Sequence, residues 1–219
     1  MVGKPLFLGI DIGTSGIRAS CIDEDKNQLT CHHIDFQNRP AVNGQDNRLH
    51  SSKSEQDPNV WLQLFDELLC AVSEKLQQLQ MNHLINAISI DGTSSTLLAC
   101  SKDGSALSPA LMYNDQRCQK QAEIISRFAP AQSAVHGASS SLAKALYLLE
   151  AYPETEHLCH QADWLSASLT GNYGISDENN CLKLGYDSIS QTWPEWLMRN
   201  NENAVIAEAM LPDVVSPGL

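Results

Sequence analysis

Residues Gly9-Ile10-Asp11-Ile12-Gly13-Thr14-Ser15-Gly16-Ile17-Arg18 put one carboxylate at the end of an apolar run and follow it with two glycines and two hydroxyls. Glycine has no Cβ to keep a ligand away from backbone N–H groups, and the Thr14 and Ser15 hydroxyls add donors. A turn from Gly13 to Gly16 therefore suits a phosphate. Asp11 beside it suits Mg²⁺, which takes oxygen ligands and keeps most of its waters. The same composition also makes an ordinary β-hairpin turn after a buried strand. The common phosphate loops are absent: there is no Gly-x-x-x-x-Gly-Lys-Ser/Thr, and no Gly-x-Gly-x-x-Gly opens a helix.

A second segment, Ile88-Ser89-Ile90-Asp91-Gly92-Thr93-Ser94-Ser95-Thr96, repeats that logic. A β-branched run delivers a carboxylate and a hydroxyl-rich glycine turn to the end of a strand, where open α/β sheets bind ligands. Hydroxyls and a carboxylate suit a polyol, because each sugar OH both donates and accepts. Set against this, Ser and Thr in a turn often satisfy their own backbone. Tyr113-Asn114-Asp115-Gln116-Arg117 offers an aromatic face with hydrogen-bonding groups for a sugar, and Asp115 is equally suited to cap the helix that follows. Ser176-Asp177-Glu178-Asn179-Asn180 reads as a loop and helix start, with its acids at the positive end of the helix dipole. Asp163 reads as a helix cap or a solvent-facing acid.

Three short strands, Leu6 to Asp11, Ile17 to Ile22 and Leu29 to Phe36, must position the first turn, with a polar hairpin tip at 23–27. Residues 37–56 are polar and read as a surface loop. A helix begins at Pro58 behind Asp57, with Trp61, Leu64, Phe65, Leu68, Leu69, Val72 and Leu76 on one face. Ile85 to Ile90 reads as a buried strand and Ser95 to Ser101 as another. Lys102-Asp103-Gly104 reads as a hairpin turn leading to Ala110 to Tyr113, and helices are predicted at 116–128, 141–152 and 161–170. This order predicts an α/β fold, a mixed sheet with helices against it.

The chain has 219 residues, room for one large domain, and a formal net charge of −12. That charge argues against nucleic acid and anionic membranes as partners, since both call for clustered Lys and Arg. It leaves a nucleotide open. Seven scattered cysteines without a Cys-x-x-Cys pair favour reduced thiols in a cytoplasmic protein over a disulfide framework or zinc site. The first residues do not read as a signal peptide, no apolar run is long enough for a membrane helix, and the seven histidines show no ligand spacing.

Asp11-x-Gly13-Thr14-x-x-x-Arg18, Tyr113-x-Asp115-x-Arg117, Asp163-Trp164-Leu165 through Leu169-Thr170-Gly171, Ser176-Asp177-x-x-Asn180 and Leu211-Pro212-Asp213-Val214-Val215-x-Pro217-Gly218 occur in the order seen in FGGY carbohydrate kinases. The chain resembles the N-terminal domain of that family along nearly its whole length. Ile90 to Ser94, Ser141 to Lys144 and Leu182 to Tyr186 most resemble its D-ribulose kinase group. The Met-His-Gly turn of xylulokinases and the Arg-Glu pair of glycerol kinases are missing at the Thr93 region, and Tyr113 stands where Trp is commoner.

The resemblance implies a ribonuclease-H-like domain of the actin, sugar kinase and heat-shock ATPase superfamily. It further implies an ATP-dependent kinase acting on a primary hydroxyl of a small sugar, a ketopentose such as D-ribulose. Asp11 would position Mg²⁺ through water beside the accepting hydroxyl. Gly13, Thr14, Ser15, Gly16 and Arg18 would hold the transferring phosphate, with Arg18 equally able to brace the hairpin. Asp91, Gly92, Thr93 and Ser94 would meet the sugar, joined by Asn114 and Asp115. The family is about twice as long, and its general base and most of its adenine pocket come from a second domain. This chain alone is therefore expected to be essentially inactive, because a missing base by itself costs about 10²–10⁴-fold. Three other readings compete. The chain could be a non-catalytic sugar-binding or regulatory domain, or an actin-like ATPase indifferent to sugar. It could also be an assembly module that forms a homodimer through the face a lone half leaves exposed.

Overall fold

Alternating apolar and polar residues build the first three strands, β1 (Leu6–Ile12), β2 (Gly16–Asp23) and β3 (Gln28–Asp35). Leu8, Ile10 and Ile12 of β1 and Ile17, Ala19 and Cys21 of β2 are buried, while the residues between them face outward or are half-buried. The strands form an antiparallel meander with Asp11 opposite Arg18 and Arg18 opposite His33. Its tip closes through Asp23, whose Oδ1 accepts from the backbone N–H groups of Asp25 and Asn27, both at 2.9 Å. This computed structural model describes residues 5–36, 53–81, 85–198 and 206–216. Most of the loop expected at 37–56, and the Pro217-Gly218 end of the last motif, lie outside them. Glu55–Gln56 is a short strand, β4, where a loop was expected.

Helix α1 (Pro58–Gln78) begins at the expected proline and buries Trp61, Leu64, Phe65, Leu68, Val72 and Leu76. Strand β5 (Ile85–Gly92) then pairs in parallel with β1, giving a sheet of order β3-β2-β1-β5. The sequence reading of β5 as buried is corrected here. Most of its residues are exposed, Ile88 by 42%. Its β-branched composition marks a strand correctly. Whether a strand is central or at an edge depends on what lies beyond it, and among the described residues nothing pairs with the far side of β5.

The chain divides into two compact units, Met1–Asp46 with Asn59–Thr93 and Asn47–Pro58 with Ser94–Leu219. The second contains β6 (Leu97–Cys100), β7 (Ala110–Leu111), α2 (Gln119–Ile125), α3 (Ser141–Ala151), β8 (His157–His160), α4 (Gln161–Thr170), β9 (Ile175–Asp177), α5 (Glu178–Cys181), α6 (Glu195–Met198) and β10 (Asp213–Val215). Its larger sheet has the order β4-β7-β6-β8, and β9 and β10 form a parallel pair. Leu97, Leu111, Ile125, Leu142, Leu148 and Leu158 belong to its apolar core.

Helix ends follow local chemistry. Ser140 caps α3 by accepting from the Ala143 N–H at 3.2 Å, and α4 stops at Gly171, which is left-handed at φ 74°. The Lys102-Asp103-Gly104 turn needs its glycine: φ is +82° and a Cβ would strike the Tyr173 ring. The expected helix at 116–128 is shorter, because Asp115 does not cap it. Its Oδ1 instead accepts the Arg117 N–H at 3.0 Å in a local turn, and α2 begins only at Gln119.

The two glycines of the first turn differ. The Gly13 N–H donates to the Gly16 carbonyl at 2.9 Å, and a Cβ on Gly13 would meet nothing closer than 3.7 Å. A Cβ on Gly16 would sit 2.7 Å from the Ile34 carbonyl oxygen and 2.8 Å from His33 Nε2. Chemical denaturation should therefore show Gly16→Ala losing about 1–3 kcal/mol, the usual cost of overpacking. Gly13→Ala should lose less than about 1 kcal/mol.

Candidate active site

The pairing of β1 on both sides sets a row of charged side chains across one face of the first sheet. Asp11 is opposite Asp91 on β5 and opposite Arg18 on β2, and Arg18 is opposite His33 on β3. Residues in direct register point to the same face. Arg18 Nε reaches Asp11 Oδ2 at 3.1 Å, with the two side chains 65% and 48% exposed. Such an exposed pair contributes at most about 1 kcal/mol. Asp11 and Asp91, by contrast, are like charges on neighbouring strands, an arrangement that destabilises a sheet. Arg18 offsets one of the two charges, and a bound cation would offset both.

One register step back along the strands lie Ser89, Gly9, Ser20 and Cys31. Together with Asp11, Arg18 and Asp91 they line an open depression of about 310 Å³. Gly9 keeps its floor low, since a Cβ there would touch nothing nearer than the Ser20 carbonyl oxygen at 3.9 Å. At the end of the same hairpin, Thr14 and Ser15 are exposed at the tip of the Gly13–Gly16 turn.

The donor set fits a hydrated Mg²⁺. Two exposed carboxylates flank one opening, and among the described residues no group of three or more His, Cys, Asp or Glu could cage a metal. Mg²⁺ is commonly held by one or two carboxylates, with water and phosphate completing its shell. Asp11 and Asp91 would hold it, and the ion would supply charge neutralisation for a phosphate over the turn.

Gly92 ends β5 and Thr93 follows it, both half-buried. Ser94 opens the second unit and is exposed. Asn114, also in that unit, is half-buried beside exposed Tyr113. Asp115 is fully buried. Its Oδ2 accepts from the Ser54 N–H at 2.7 Å and from Arg117 Nη2 at 2.7 Å, and Arg117 Nε lies 3.0 Å from both of its oxygens. Arg117 Nη2 also donates to Glu55 Oε2 at 2.6 Å, and its guanidinium lies 5.9 Å from the Tyr147 ring centroid. Burial works against the Arg117 charge, but its bonds to Asp115 and Glu55 outweigh that and raise its pKa. Asp115 thus ties β4 and the segment before α2 together, and its oxygens are committed to the protein. Removing it strands a nearly buried guanidinium. Asp115→Ala should cost about 3 kcal/mol by equilibrium unfolding, the lower end for breaking a buried pair because Glu55 remains.

One arrangement escaped sequence reasoning. Ser141 Oγ lies 3.1 Å from His160 Nε2, and His160 Nδ1 lies 3.0 Å from Asp163 Oδ2. Asp163 also accepts from Ser176 Oγ at 2.7 Å and Asn180 Nδ2 at 3.3 Å. The order Ser–His–Asp is that of a hydrolase relay, but such a relay works through an accessible serine, and here Ser141 and His160 are buried. The network joins the starts of α3 and α4 to β9. Asp163 caps, as one expectation had it, and does not face solvent: its side chain is 9% exposed. Only the His160-x-x-Asp163 spacing hinted at this in the sequence.

Residues 6–218 match the family model described as "FGGY family of carbohydrate kinases, N-terminal domain". The chain belongs to that family. A xylulose kinase of Lactococcus lactis subsp. lactis (strain IL1403) is 26% identical over 197 residues, spanning 86% of this chain and 37% of the relative. One from Escherichia coli (strain K12) is 22% identical over 228 residues, spanning 95% and 45%. The chain therefore spans less than half the length of these curated relatives. Among solved structures, a xylulose kinase from Brucella ovis superposes with a TM-score of 0.80 at 24% identity, covering 96% of this chain and 43% of that one. A Plasmodium falciparum glycerol kinase with ADP reaches a TM-score of 0.72 at 17% identity, covering 97% and 48%. The α/β fold expected for the sugar kinase superfamily is the one observed. Because kinases named for different substrates share it, the fold does not name the sugar. No helix among the described residues is long and apolar enough to cross a membrane.

Proposed function

We propose that this chain is the N-terminal half of an ATP-dependent kinase that transfers the γ-phosphoryl group of ATP to a primary hydroxyl of a small sugar, a ketopentose such as D-ribulose. The observation that carries this reading is the Asp91–Asp11–Arg18 row beside the Gly13–Gly16 turn, within a chain of the FGGY family. Phosphoryl transfer depends on alignment and charge neutralisation more than on covalent chemistry by the protein. Mg-ATP, when bound, supplies the phosphoryl group and its counter-charge. Asp11 and Asp91 would hold the hydrated cation, and the exposed Thr14 and Ser15 of the Gly13–Gly16 turn would receive the transferring phosphate, the Gly13 N–H being used to close the turn onto the Gly16 carbonyl. Arg18, held to Asp11 at 3.1 Å and largely exposed, is free to turn toward that phosphate.

Asp91, Gly92, Thr93, Ser94 and Asn114 supply hydroxyl, amide and carboxylate groups for the sugar. Asp115 fixes the segment that carries Asn114 through its bonds to the Ser54 N–H and Arg117. Support for D-ribulose over D-xylulose comes from Thr93-Ser94, where xylulokinases carry Met-His-Gly, although the relatives found are named xylulose kinases. The general base and most of the adenine pocket are assigned to a C-terminal domain outside this chain. The protein is assigned to the cytoplasm on its seven free cysteines and its resemblance to metabolic kinases.

ADP release with Mg-ATP tests this on residues 1–219 and on the longer protein, against D-ribulose, D-xylulose, L-ribulose, glycerol and no sugar. Turnover is expected only in the longer protein, strongest with one pentulose, and reduced by at least about 10²-fold in Asp11→Ala. Hydrolysis indifferent to sugar would replace this reading with an ATPase. Sugar binding without turnover in the longer protein would replace it with a binding domain.

A further inference from the structure

Lys144 is completely buried in the second unit, one turn into α3. Lysine is almost never fully buried without a charged partner. Among the described residues its ammonium donates to a single acceptor, the Ser95 carbonyl oxygen, at 2.6 Å. Its position near the start of a helix adds the repulsion of the positive end of the dipole. Burial is the main reason its pKa falls to about 8; Asp115 and Cys118 counter this, while Lys183 and Arg117 add to it.

Ser95 is itself anomalous. It is a non-glycine residue with φ +65°, it is 1% exposed, and its Oγ has no hydrogen-bond partner among the described residues. A buried cation, a left-handed serine and an orphaned hydroxyl, each unfavourable for stability, converge on one turn. Strain and unsatisfied groups of this kind concentrate where the surrounding structure must hold a backbone for function. The turn is the one that follows Asp91-Gly92-Thr93-Ser94, and the exposed Ser94 is the residue immediately before the gripped one.

We propose that Lys144 is a positioning residue: by gripping the Ser95 carbonyl it locks the left-handed turn and so fixes Ser94 and the end of the Asp91–Ser94 segment for the acceptor substrate. The grip stands on this geometry alone, and its consequence for the acceptor rests on the pentulose kinase reading. A purely structural lysine would behave differently. Methionine fills a similar volume without the charge, and apolar replacement of a buried charge is often neutral or stabilising.

Lys144→Met, compared with wild type in residues 1–219, separates the two roles. Amide hydrogen exchange of residues 93–98 is expected to quicken by about tenfold or more while the melting temperature stays within about 3 °C. Unchanged exchange, or a fall in melting temperature with exchange quickened evenly over the whole second unit, overturns the proposal. Should the variant not fold, ¹⁵N-lysine spectra of the wild type decide. Slowly exchanging Lys144 ammonium protons with a scalar coupling to the Ser95 carbonyl carbon support the grip, and a freely exchanging ammonium overturns it. In the longer protein, the Lys144→Met KM for the pentulose is expected to rise about tenfold with a smaller change in the KM for ATP. Equal changes in both would remove the link to the acceptor. If the wild-type longer protein phosphorylates no pentulose, the kinase reading fails, while the exchange and spectral results still decide on the grip.

Discussion

Asp11, Arg18 and Asp91 meet because β1 is hydrogen-bonded to β2 on one side and β5 on the other, and the two registers agree at one position. A slip of one residue in either pairing would turn that strand's side chains to the opposite face. Between β1 and β2 the slip is resisted by those strands' other face: Leu8, Ile10, Ile12, Ile17, Ala19 and Cys21 are buried and would be forced outward. Hydrophobic burial on one side of the sheet thus fixes the spacing of charges on the other. The Gly13–Gly16 turn inherits its place from the same pairing, since it closes the β1–β2 hairpin.

The second unit is held in a different manner. Around its apolar core run two buried polar systems, one through Asp115, Arg117 and Glu55 and one through Ser141, His160, Asp163 and Ser176. Each joins elements far apart in the chain, and each leaves its carboxylate engaged with several donors. In a medium of low dielectric, satisfied networks of this kind specify one arrangement of their elements, whereas partly satisfied ones are costly. Lys144 and Ser95 contrast with these networks, a buried cation with one acceptor among the described residues beside an orphaned hydroxyl.

Much of this was legible in the residues. The strands at 6–11 and 17–22, the Trp61 to Leu76 stripe of α1 and the helix at 161–170 could all be read from the sequence. Asp11, Gly13 and Arg18 could be chosen because a carboxylate, a glycine turn and a cation lie within eight residues of one another, so local geometry already brings them together. Asp115 shows the limit. As a residue type it suits a sugar, a helix cap or an ion pair. The choice was made by Ser54 and Glu55, some sixty positions away, and no local pattern contains them. Ile88 shows the same limit for burial, because a β-branched run looks alike at the centre and at the edge of a sheet.

The sequence by itself determined the strand and helix periodicities, the phosphate-suited turn and membership of a kinase family. All of these are carried by residues close together in the chain or by motifs in a fixed order. Tertiary structure alone decided that Asp11 stands between Asp91 and Arg18, that Asp115 faces Arg117 and the Ser54 backbone, and that Lys144 reaches the Ser95 carbonyl. These are meetings of residues separated by up to 80 positions. They are selected by sheet register and by the cost of leaving buried polar groups unpaired, and both depend on the folded chain as a whole.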